Sequence, residues 1–337
     1  PEQVMICSTH THTGPVTSAN SAPFITDESY LNFLVQRIAD TIMLARENMV
    51  EAEAFCGRGF VQGIAFNRRY WMQNGTVITN PGLNNPEIIR PAGPIDPELS
   101  ILYFRKKDNQ ELISIIANYA LHADIIGGKL ISPDFPGYMR KSIRKYLGNN
   151  IPVLFMRGCA GDINHIDVNP QPDSPQCCEL AENIGKLLAA EAIKVIFSPR
   201  QERCFGSVWH TVKTKIEIPL RTVMQEEIEK AEKVLATVIP RDNKCLEVVE
   251  ARRILKVKEM ASQPIFTEVQ VLGFENVALC GLPAEIFVEI GLEIKKRSQR
   301  AFTMVADLVN DKFAYIGTEK AFAQGGYELN ASAIQPQ

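Results

Sequence analysis

The chain has 337 residues, 45% of them hydrophobic, which is enough to bury the core of one large domain or two modest ones. Its formal net charge is only -3, and basic and acidic residues are interspersed, so the composition gives no sign of a surface for nucleic acid or anionic membrane. No apolar run approaches the roughly 20 residues that span a bilayer, and no signal-peptide pattern opens the chain. The eight cysteines form no CxxC pair, which leaves the redox compartment open.

The first predicted element is a strand over VMICS, which ends at the sequence HTHTGP, residues 10–15. Successive side chains of a strand point to opposite faces, so His10 and His12 are expected to share one face. Such a pair is typical of zinc sites, although two polar residues that merely cap a buried strand have the same local pattern. Because a strand this apolar needs partners on both sides, we expect residues preceding Pro1 to complete its sheet.

A helix, a strand and a long loop are predicted next. Apolar residues recur on one face from Leu31 to Met43, which predicts a helix that begins at Asp27 and covers a sheet. The segment GRGFVQGIAFNRRYW predicts a strand, and the Pro, Gly and Asn residues of 74–97 predict a loop. Two paired strands follow, LSILYFR and LISIIANYALHA, joined at Lys107-Asp108-Asn109, and the second strand delivers His122.

The second half of the chain alternates strand and helix. Glu, Lys, Arg and Leu dominate 222–262 around Pro240, which predicts a helical hairpin inserted into the body. This order predicts an α/β fold of mixed α and β character, in which central mixed sheets are flanked by helices. The other predicted elements are a helix over 137–147, the strand IPVLFMRG, a helix over 177–196, a strand hairpin turning at Glu275-Asn276, a helix over 284–297 and the strand FTMVADLVN.

Candidate metal ligands are few, since the chain has only five histidines. A catalytic zinc ion takes three or four N or O ligands and leaves a position for water. His122 stands where an apolar strand ends, and Glu285 where the segment ALCGLP stops, so both join the histidine pair as candidates. For Glu285, an acidic residue in the first turn of a helix is an equally good local interpretation. His165 could be a ligand, a support for a ligand or a surface residue, and His210 looks incidental.

Six segments in chain order resemble the motifs of one enzyme family: HTHTGP, FNRR, NYALHA, GDIN, GLPAEIF and AYIGTEKAFAQGGYE. Together they resemble the neutral/alkaline ceramidases, zinc-dependent amidases that cleave the N-acyl bond of ceramide. The resemblance implies a role in sphingolipid metabolism and a secreted, periplasmic or cell-surface location. We expect a single ceramidase-like catalytic domain over 1–337 that is incomplete at its N-terminus, with the insertion at 222–262 unmatched. The ceramidases add a C-terminal immunoglobulin-like domain, for which we expect no room after Tyr327.

The resemblance further implies which residues form the site. His12 corresponds to the family histidine beside the metal-bound water, whose proton it would accept and return to the leaving amine. The family arginine that faces the scissile carbonyl corresponds to Arg68, with Arg69 as the alternative one residue away. Tyr327 corresponds to the tyrosine that lines the reaction site. The implied ligands of one Zn²⁺ per chain are His10, His122, Glu285 and Tyr315.

One position departs from the family pattern. Where the ceramidases carry Gly-Asp-x-Ser-Pro-Asn, this chain has the segment GDINH, so the amide of Asn164 replaces the serine that contacts substrate. We expect Asn164 either to contact substrate or to satisfy its own loop backbone, and Asp162 to orient a ligand imidazole. The substrate class therefore stays open between a small-molecule and a lipid N-acyl compound. Peripheral membrane contact is compatible with the latter, nucleic acid is not an expected partner, and the oligomeric state is open.

Two other functions stay open at this point. Clustered His, Asp and Asn residues could bind two metal ions and hydrolyse a phosphate ester, although such a site needs more ligands than the sequence offers. The chain could also be a binding protein that keeps the fold without catalysis, and Asn164 is the residue that favours this interpretation. Metal stoichiometry and an amide-hydrolysis screen separate the three functions.

Overall fold

The computed structural model describes residues 2–17, 26–148, 150–204, 206, 208–237, 246–261, 264–330 and 332–334. These residues form eight helices: α1 (Glu28–Glu47), α2 (Asp134–Leu147), α3 (Cys177–Ile196), α4 (Gln225–Ala236), α5 (Leu246–Met260), α6 (Val288–Arg297), α7 (Glu319–Gln324) and α8 (Tyr327–Asn330). The same residues form sixteen strands: β1 (Ala52–Phe60), β2 (Phe66–Asn67), β3 (Arg69–Met72), β4 (Val77–Thr79), β5 (Ile88–Pro91), β6 (Glu98–Lys106), β7 (Leu112–Tyr119), β8 (Val153–Arg157), β9 (Ile163–Asn164), β10 (Glu202–Arg203), β11 (His210–Ile218), β12 (Ile265–Gly273), β13 (Val277–Gly281), β14 (Ala284–Ile286), β15 (Phe302–Ala306) and β16 (Phe313–Ile316). No helix in this described part is long and apolar enough to cross a bilayer.

Two larger sheets carry the fold. The five-stranded sheet has the order β10-β1-β6-β7-β8, and its neighbouring strands are antiparallel except for β7 and β8. The four-stranded sheet has the order β11-β12-β13-β15, in which only β13 and β15 are parallel. Because parallel neighbours end at the same edge of a sheet, the loops after β7 and β8 leave together, as do those after β13 and β15.

The two sheets pack face to face, with helices on their outer faces. Leu102 and Met156 of the first sheet meet Leu279 and Met304 of the second in one apolar cluster. Helices α2 and α3 cover the outer side of the first sheet, and α6 packs against β15 on the second. Strand β15 is buried over its whole length because both of its faces are covered, which explains its continuous apolar run. The predicted α/β class, with mixed sheets flanked by helices, is confirmed.

The predicted N-terminal strand is wrong. In the described stretch before His10, the backbone makes only one isolated bridge, between Cys7 and Val309. The apolar character of this stretch reflects packing, since Met5 and Cys7 contact the cluster between the two sheets. His10 then adopts a left-handed conformation, with φ of 61°, that no extended strand has. The alternation of a strand therefore does not place the two histidines.

Helix α1 forms as predicted, but it covers no sheet. Asp27 caps the helix and accepts a hydrogen bond from the backbone N–H of Tyr30 at 3.1 Å. Within α1, all of which is described, no residue is buried, and Phe33, Val35 and Leu44 are 55%, 66% and 58% exposed. A periodic apolar pattern predicts a helix locally, but the surface that its apolar face meets depends on the rest of the fold.

Three element boundaries differ from the prediction. The segment 74–97 is not all loop, because β4 and β5 pair with β3 in a small antiparallel sheet. Helix α2 begins at Asp134 rather than at Gly137. The helix predicted over 284–297 begins as strand β14, which pairs with β16, and becomes helical only at Val288. Strands this short contain too few alternating residues for their period to be recognised in the sequence.

Two predicted hairpins and part of the predicted insertion can be located. Strands β6 and β7, and likewise β12 and β13, form antiparallel pairs at the predicted turns. Helices α4 and α5 occupy the predicted insertion and pack against each other. The predicted turn at Pro240 lies outside the described residues, and the division into domains stays a prediction.

Candidate metal centre

His122 lies three residues beyond the end of β7 and is fully buried. Its Nδ1 lies 2.6 Å from the carbonyl oxygen of Ala160, in the loop after β8, and 3.0 Å from that of Ile163, the first residue of β9. Carbonyl oxygens only accept hydrogen bonds, so Nδ1 carries the proton and Nε2 presents a lone pair. A backbone carbonyl that holds the far nitrogen of the ring is a common support for a metal-binding histidine.

The lone pair of His122 faces the carboxylate of Glu285. Nε2 of His122 is 3.2 Å from Oε2 of Glu285, and Nε2 of His10 is 3.4 Å from the same oxygen. Burial, together with the charge of Arg157, lowers the pKa of His122 to about 4, so its imidazole is neutral at neutral pH. Acceptor atoms that converge at this distance without a proton between them are satisfied by a bound cation. The side chains present therefore fit a metal ion.

His12 completes a group of three histidines. One ring nitrogen from each of His10, His12 and His122 belongs to a set of atoms that all lie within 4.8 Å of one another. The backbone N–H of His12 donates to the carbonyl oxygen of Ala123 at 3.1 Å, which ties the histidine loop to the segment after His122. His12 is exposed, whereas His10 is half-buried and His122 is buried. The three rings thus run from the interior to the surface.

Glu285 lies on strand β14, so its interpretation as a residue in the first turn of a helix is wrong. Its register partner across the parallel pair of β14 and β16 is Tyr315, which brings two of the predicted ligands side by side. The guanidinium of Arg157 lies 4.0 Å from Oε2 of Glu285. Burial opposes ionisation of Glu285, but its close contacts with His122 and His10 and the charge of Arg157 hold its pKa well below the usual range.

Arg68 is fixed beside Tyr315. Its Nε donates to Oε1 of Glu328 at 2.7 Å, and its Nη2 donates to the carbonyl oxygen of Gly161 at 2.8 Å. Its guanidinium carbon lies 5.4 Å from the centroid of the Tyr315 ring. Burial, followed by the charge of Glu285, raises the pKa of Tyr315. These contacts hold a cationic group next to the predicted tyrosine ligand.

Arg69, the next residue, lies with its Nε 3.8 Å from Oε2 of Glu328 but donates its hydrogen bonds to other groups. Its Nη1 donates to Oε1 of Gln324 at 3.2 Å and its Nη2 to the carbonyl oxygen of Gly325 at 2.7 Å. Its guanidinium carbon lies 5.2 Å from the centroid of the Phe287 ring. Of the two candidate arginines, Arg68 is therefore the one that contacts Tyr315.

Tyr327 joins the site from the first residue of α8. Its ring centroid is 5.9 Å from that of Tyr315, with the planes inclined by 64°. Arg253 of α5 lies over the Tyr327 ring, with its guanidinium carbon 5.7 Å from the centroid. The hairpin of α4 and α5 therefore contacts the predicted reaction site, a contact that no sequence motif indicates.

The side chains of Asn164 and Asp162 form hydrogen bonds with neighbouring side chains and backbone groups. Nδ2 of Asn164 donates to Oδ1 of Asn80 at 3.0 Å, and its Oδ1 accepts from the backbone N–H of Ile166 at 3.1 Å. The second bond is the loop-satisfying role weighed from the sequence, and substrate contact stays a prediction. The Asp162 carboxylate accepts from Nδ2 of Asn67 at 2.7 Å and from the N–H of Val288 at 2.8 Å. It therefore does not orient a ligand imidazole, which the carbonyls beside it do for His122.

Two contacts beside the centre were not predicted, an ion pair and a histidine against a carboxylate. Arg157 donates to both carboxylate oxygens of Asp307, at 2.7 and 2.6 Å, and both side chains are fully buried. His165 pairs with Asp124, with Nδ1 of the imidazole 2.9 Å from Oδ1. A charged residue at the end of a buried strand is the sequence signal for Arg157 and Asp307. The predicted incidental histidine, His210, is exposed at the start of β11.

Comparison with known proteins adds a sequence relative. No family model matches the chain. A neutral ceramidase of Pseudomonas aeruginosa is 30% identical over 142 residues, which cover 40% of this chain and 20% of that protein.

Two solved structures share the fold. A crystal structure of neutral ceramidase from Pseudomonas aeruginosa matches with a TM-score of 0.75 and 21% identity, over 99% of this chain and 58% of that one. A structure of a ceramidase complexed with C2 matches with a TM-score of 0.72 and 19% identity, over 99% and 59% of the two chains. The chain thus spans less than two thirds of the length of these relatives. The predicted resemblance is confirmed: this chain has the fold of the neutral ceramidases and is related in sequence to the Pseudomonas aeruginosa protein.

Proposed function

We propose that this chain is a zinc-dependent hydrolase that cleaves the C–N bond of a linear amide in an N-acyl substrate, a ceramide or a ceramide-like lipid amide. The observation that carries the proposal is the convergence of Nε2 of His10 and Nε2 of His122 on one carboxylate oxygen of Glu285. The substrate class rests on the relatives, since the sequence relative and a solved structure of the same fold are neutral ceramidases.

The proposed ligands are His10, His122, Glu285 and Tyr315, with one zinc ion per chain. Imidazole nitrogen with carboxylate oxygen is a donor set that suits zinc. A bound zinc ion supplies a Lewis acid, which polarises the amide carbonyl and makes water more acidic at neutral pH. The backbone carbonyl that accepts from Nδ1 of His122 favours a ligand role for this residue, because it leaves Nε2 unprotonated and directed at Glu285.

His12 is the proposed proton carrier. Its ring contacts that of His10 edge-on, with 4.9 Å between the centroids, and it is the most exposed of the three histidines. Burial lowers the pKa of His12, and the nearby charge of Asp124 partly offsets this effect. An imidazole in this position can take the proton of the attacking water and return it to the nitrogen of the leaving amine.

Arg68 and Tyr327 are the proposed donors to the oxyanion that develops on the amide carbonyl. The bonds of Arg68 to Glu328 and to Gly161 hold its guanidinium in place before substrate arrives. A donor that is oriented in advance typically contributes about 3 kcal/mol to stabilisation of such a transition state. Asn164 is proposed as a substrate contact at the position of the family serine.

Two rival functions receive less support. A binuclear phosphoesterase needs a second set of ligands, and one group of three or more close ligand atoms is present among the described residues. The histidine of the GDINH segment, His165, contacts Asp124. A catalytically inactive binding homologue would keep zinc, and only a hydrolysis assay separates it from the enzyme.

Metal analysis of the purified chain, followed by an amide-hydrolysis screen, tests the proposal. The screen spans ceramides, short N-acyl amines and N-acyl amino acids. We expect one zinc ion per chain, turnover of at least one lipid amide, and loss of both in Glu285→Ala. Glu293→Ala is the matched control, because this acidic residue of α6 is 54% exposed.

Three outcomes contradict the proposal. Turnover that persists in Glu285→Ala or His122→Ala would exclude the proposed centre. Two tightly bound metal ions per chain would favour the phosphoesterase. Bound zinc without turnover of any amide in the screen would favour the inactive homologue.

A further inference from the structure

The loop between His122 and α2 exposes two adjacent apolar side chains. Leu130 is 82% exposed and Ile131 is 78% exposed, the two highest values for large apolar residues in the described part of the chain. Nearly the whole of each side chain is exposed to water. This exposure of apolar area is unfavourable unless the pair contacts an apolar partner. Gly127 and Gly128 precede them, and nothing lies within 4 Å of where their Cβ atoms would be. The backbone at these two glycines is therefore not packed against another part of the chain.

A cationic cleft begins directly after this apolar pair. It has a volume of about 500 Å³ and is lined by Arg140, Lys141 and Arg144 of α2 together with Ser132 and Pro133. The three cations lie on one face of the helix because residues three and four apart are neighbours there. Arg144 donates from Nε to the carbonyl oxygen of Ile151, at 2.8 Å. Among the described residues, Arg140 and Lys141 form no salt bridge.

The charge of this region differs from that of the whole chain. Residues 127–147 contain five cationic side chains and one carboxylate, that of the buried Asp134, whereas the chain has a formal net charge of -3. Glu182 of α3 interacts with the charge of Lys141, but it is paired with Lys186 at 2.9 Å. The surface therefore keeps an unneutralised positive charge beside two exposed apolar side chains.

The same surface is continuous with the histidine loop. The hydroxyl of Thr11, between His10 and His12, donates to the carbonyl oxygen of Ser132 at 2.7 Å. The backbone N–H of Ser132 donates to the carbonyl oxygen of Thr13 at 3.1 Å. Ser132 also lines the cationic cleft and follows Ile131 directly. A partner bound at Leu130, Ile131 and the cationic cleft would therefore lie close to the candidate metal centre.

We propose that Leu130, Ile131 and the cations of α2 form a docking surface for membranes that contain anionic lipid. The two apolar side chains enter the boundary between headgroups and acyl chains, and Arg140, Lys141 and Arg144 pair with the phosphate groups. Apolar insertion alone or positive charge alone gives weak binding to a bilayer. The combination of the two is the usual way in which a protein binds a bilayer surface reversibly. This binding goes beyond amide hydrolysis and does not require it.

Co-sedimentation of the purified full chain with lipid vesicles tests the proposal. Phosphatidylcholine vesicles with phosphatidylglycerol should bind the protein, and vesicles of phosphatidylcholine alone should bind it much more weakly. The double variant Arg140→Gln/Lys141→Gln should weaken binding to the anionic vesicles by roughly 20- to 30-fold, and raised salt should weaken the wild type similarly. Leu130→Ser/Ile131→Ser should weaken binding at any salt concentration.

A matched control removes the same charge elsewhere. Lys106→Gln/Lys107→Gln neutralises two lysines at the turn between β6 and β7, where they pair with Glu111 and Glu51. This variant should bind anionic vesicles within about threefold of the wild type, because its charges lie away from the membrane-facing surface. The three double variants should fold with unchanged near-UV circular dichroism, since none of the substituted side chains is buried.

Equal binding to neutral and anionic vesicles would overturn the proposal, as would unaltered binding of the Arg140→Gln/Lys141→Gln variant. Displacement of the protein from vesicles by millimolar inorganic phosphate would also overturn it in favour of a site for a free anion. The proposed hydrolase is tested separately with a soluble short-chain N-acyl amide. If the chain binds anionic vesicles but hydrolyses no amide, the docking surface is supported and the proposed hydrolase is contradicted.

Discussion

Arg157 and Asp307 form a fully buried, bidentate ion pair that joins the ends of strands β8 and β15, which belong to different sheets. The same guanidinium lies 4.0 Å from Oε2 of Glu285. One buried cation thus balances two buried carboxylates, one structural and one in the candidate metal centre. The packing of the two sheets and the position of Glu285 depend on the same contact.

We expect Arg157→Met to lower the free energy of unfolding by about 3–5 kcal/mol, because it leaves the carboxylates of Asp307 and Glu285 buried without a cation. Urea denaturation measures this change. Arg37→Met is the control, since its ion pair with Asp40 is exposed and should contribute less than about 1 kcal/mol. A loss for Arg157→Met no larger than that of the control would show that the pair does not hold the sheets together.

Removing the metal should destabilise the wild type and leave Glu285→Gln unaffected. The proposed ligands come together only in the folded state, where His10 and His122 meet Glu285, so at a thousandfold excess over Kd the metal stabilises the fold by about 4 kcal/mol. The melting temperature with and without a chelator measures this effect. Glu293→Gln should respond to the chelator as the wild type does. A chelator response that survives in Glu285→Gln would place the metal elsewhere.

His12→Ala should separate proton transfer from metal binding. We expect this variant to retain zinc while kcat falls by about 10²- to 10⁴-fold, the usual contribution of a general acid–base group. His122→Ala, in contrast, should lose the metal, since its Nε2 faces Glu285. Zinc content by elemental analysis and kcat on a soluble amide are the two measurements. If His12→Ala loses zinc as completely as His122→Ala, His12 is a third histidine ligand.

Arg68→Lys should lower kcat by about 10²- to 10³-fold with little change in KM, because the guanidinium is proposed to stabilise the oxyanion rather than to bind the ground state. A lysine cannot reproduce the two bonds of Arg68 to Glu328 and Gly161. Arg69→Lys is the neighbouring control and should change kcat less than about tenfold. The opposite order of the two effects would assign the oxyanion contact to Arg69.

Asp162 should make stability depend on pH. Burial raises its pKa from 3.8 to about 6, so the folded chain holds this proton more tightly than the unfolded chain. The free energy of unfolding therefore loses up to about 3 kcal/mol as pH rises from 4 to 7 through this window. Asp162→Asn removes the titration, so its stability relative to the wild type should improve over the same range. A difference between the two proteins that is independent of pH, measured by urea denaturation, would contradict this assignment.

Local sequence was sufficient for elements whose period is long and regular. Helix α3 has the predicted bounds, because an apolar face that repeats over twenty residues is enough to predict a helix from the sequence. The position of His122 at the end of a buried strand was likewise predictable, since β7 is mostly apolar and β-branched. Motifs in a matching order then selected His10, His12, Glu285 and Tyr315, and pointed to the fold that the solved ceramidases share.

The tertiary structure decided what these residues meet. His10 and His12 lie together through a left-handed turn at His10 rather than through the alternation of a strand, and Glu285 lies on a strand rather than on a helix. The ion pair of Arg157 with Asp307 and the contact of His122 with Glu285 join residues 150 and 163 positions apart. No periodic pattern reports such contacts, because hydrophobic periodicity records only which face of an element is buried, not which side chain of a distant element will face it.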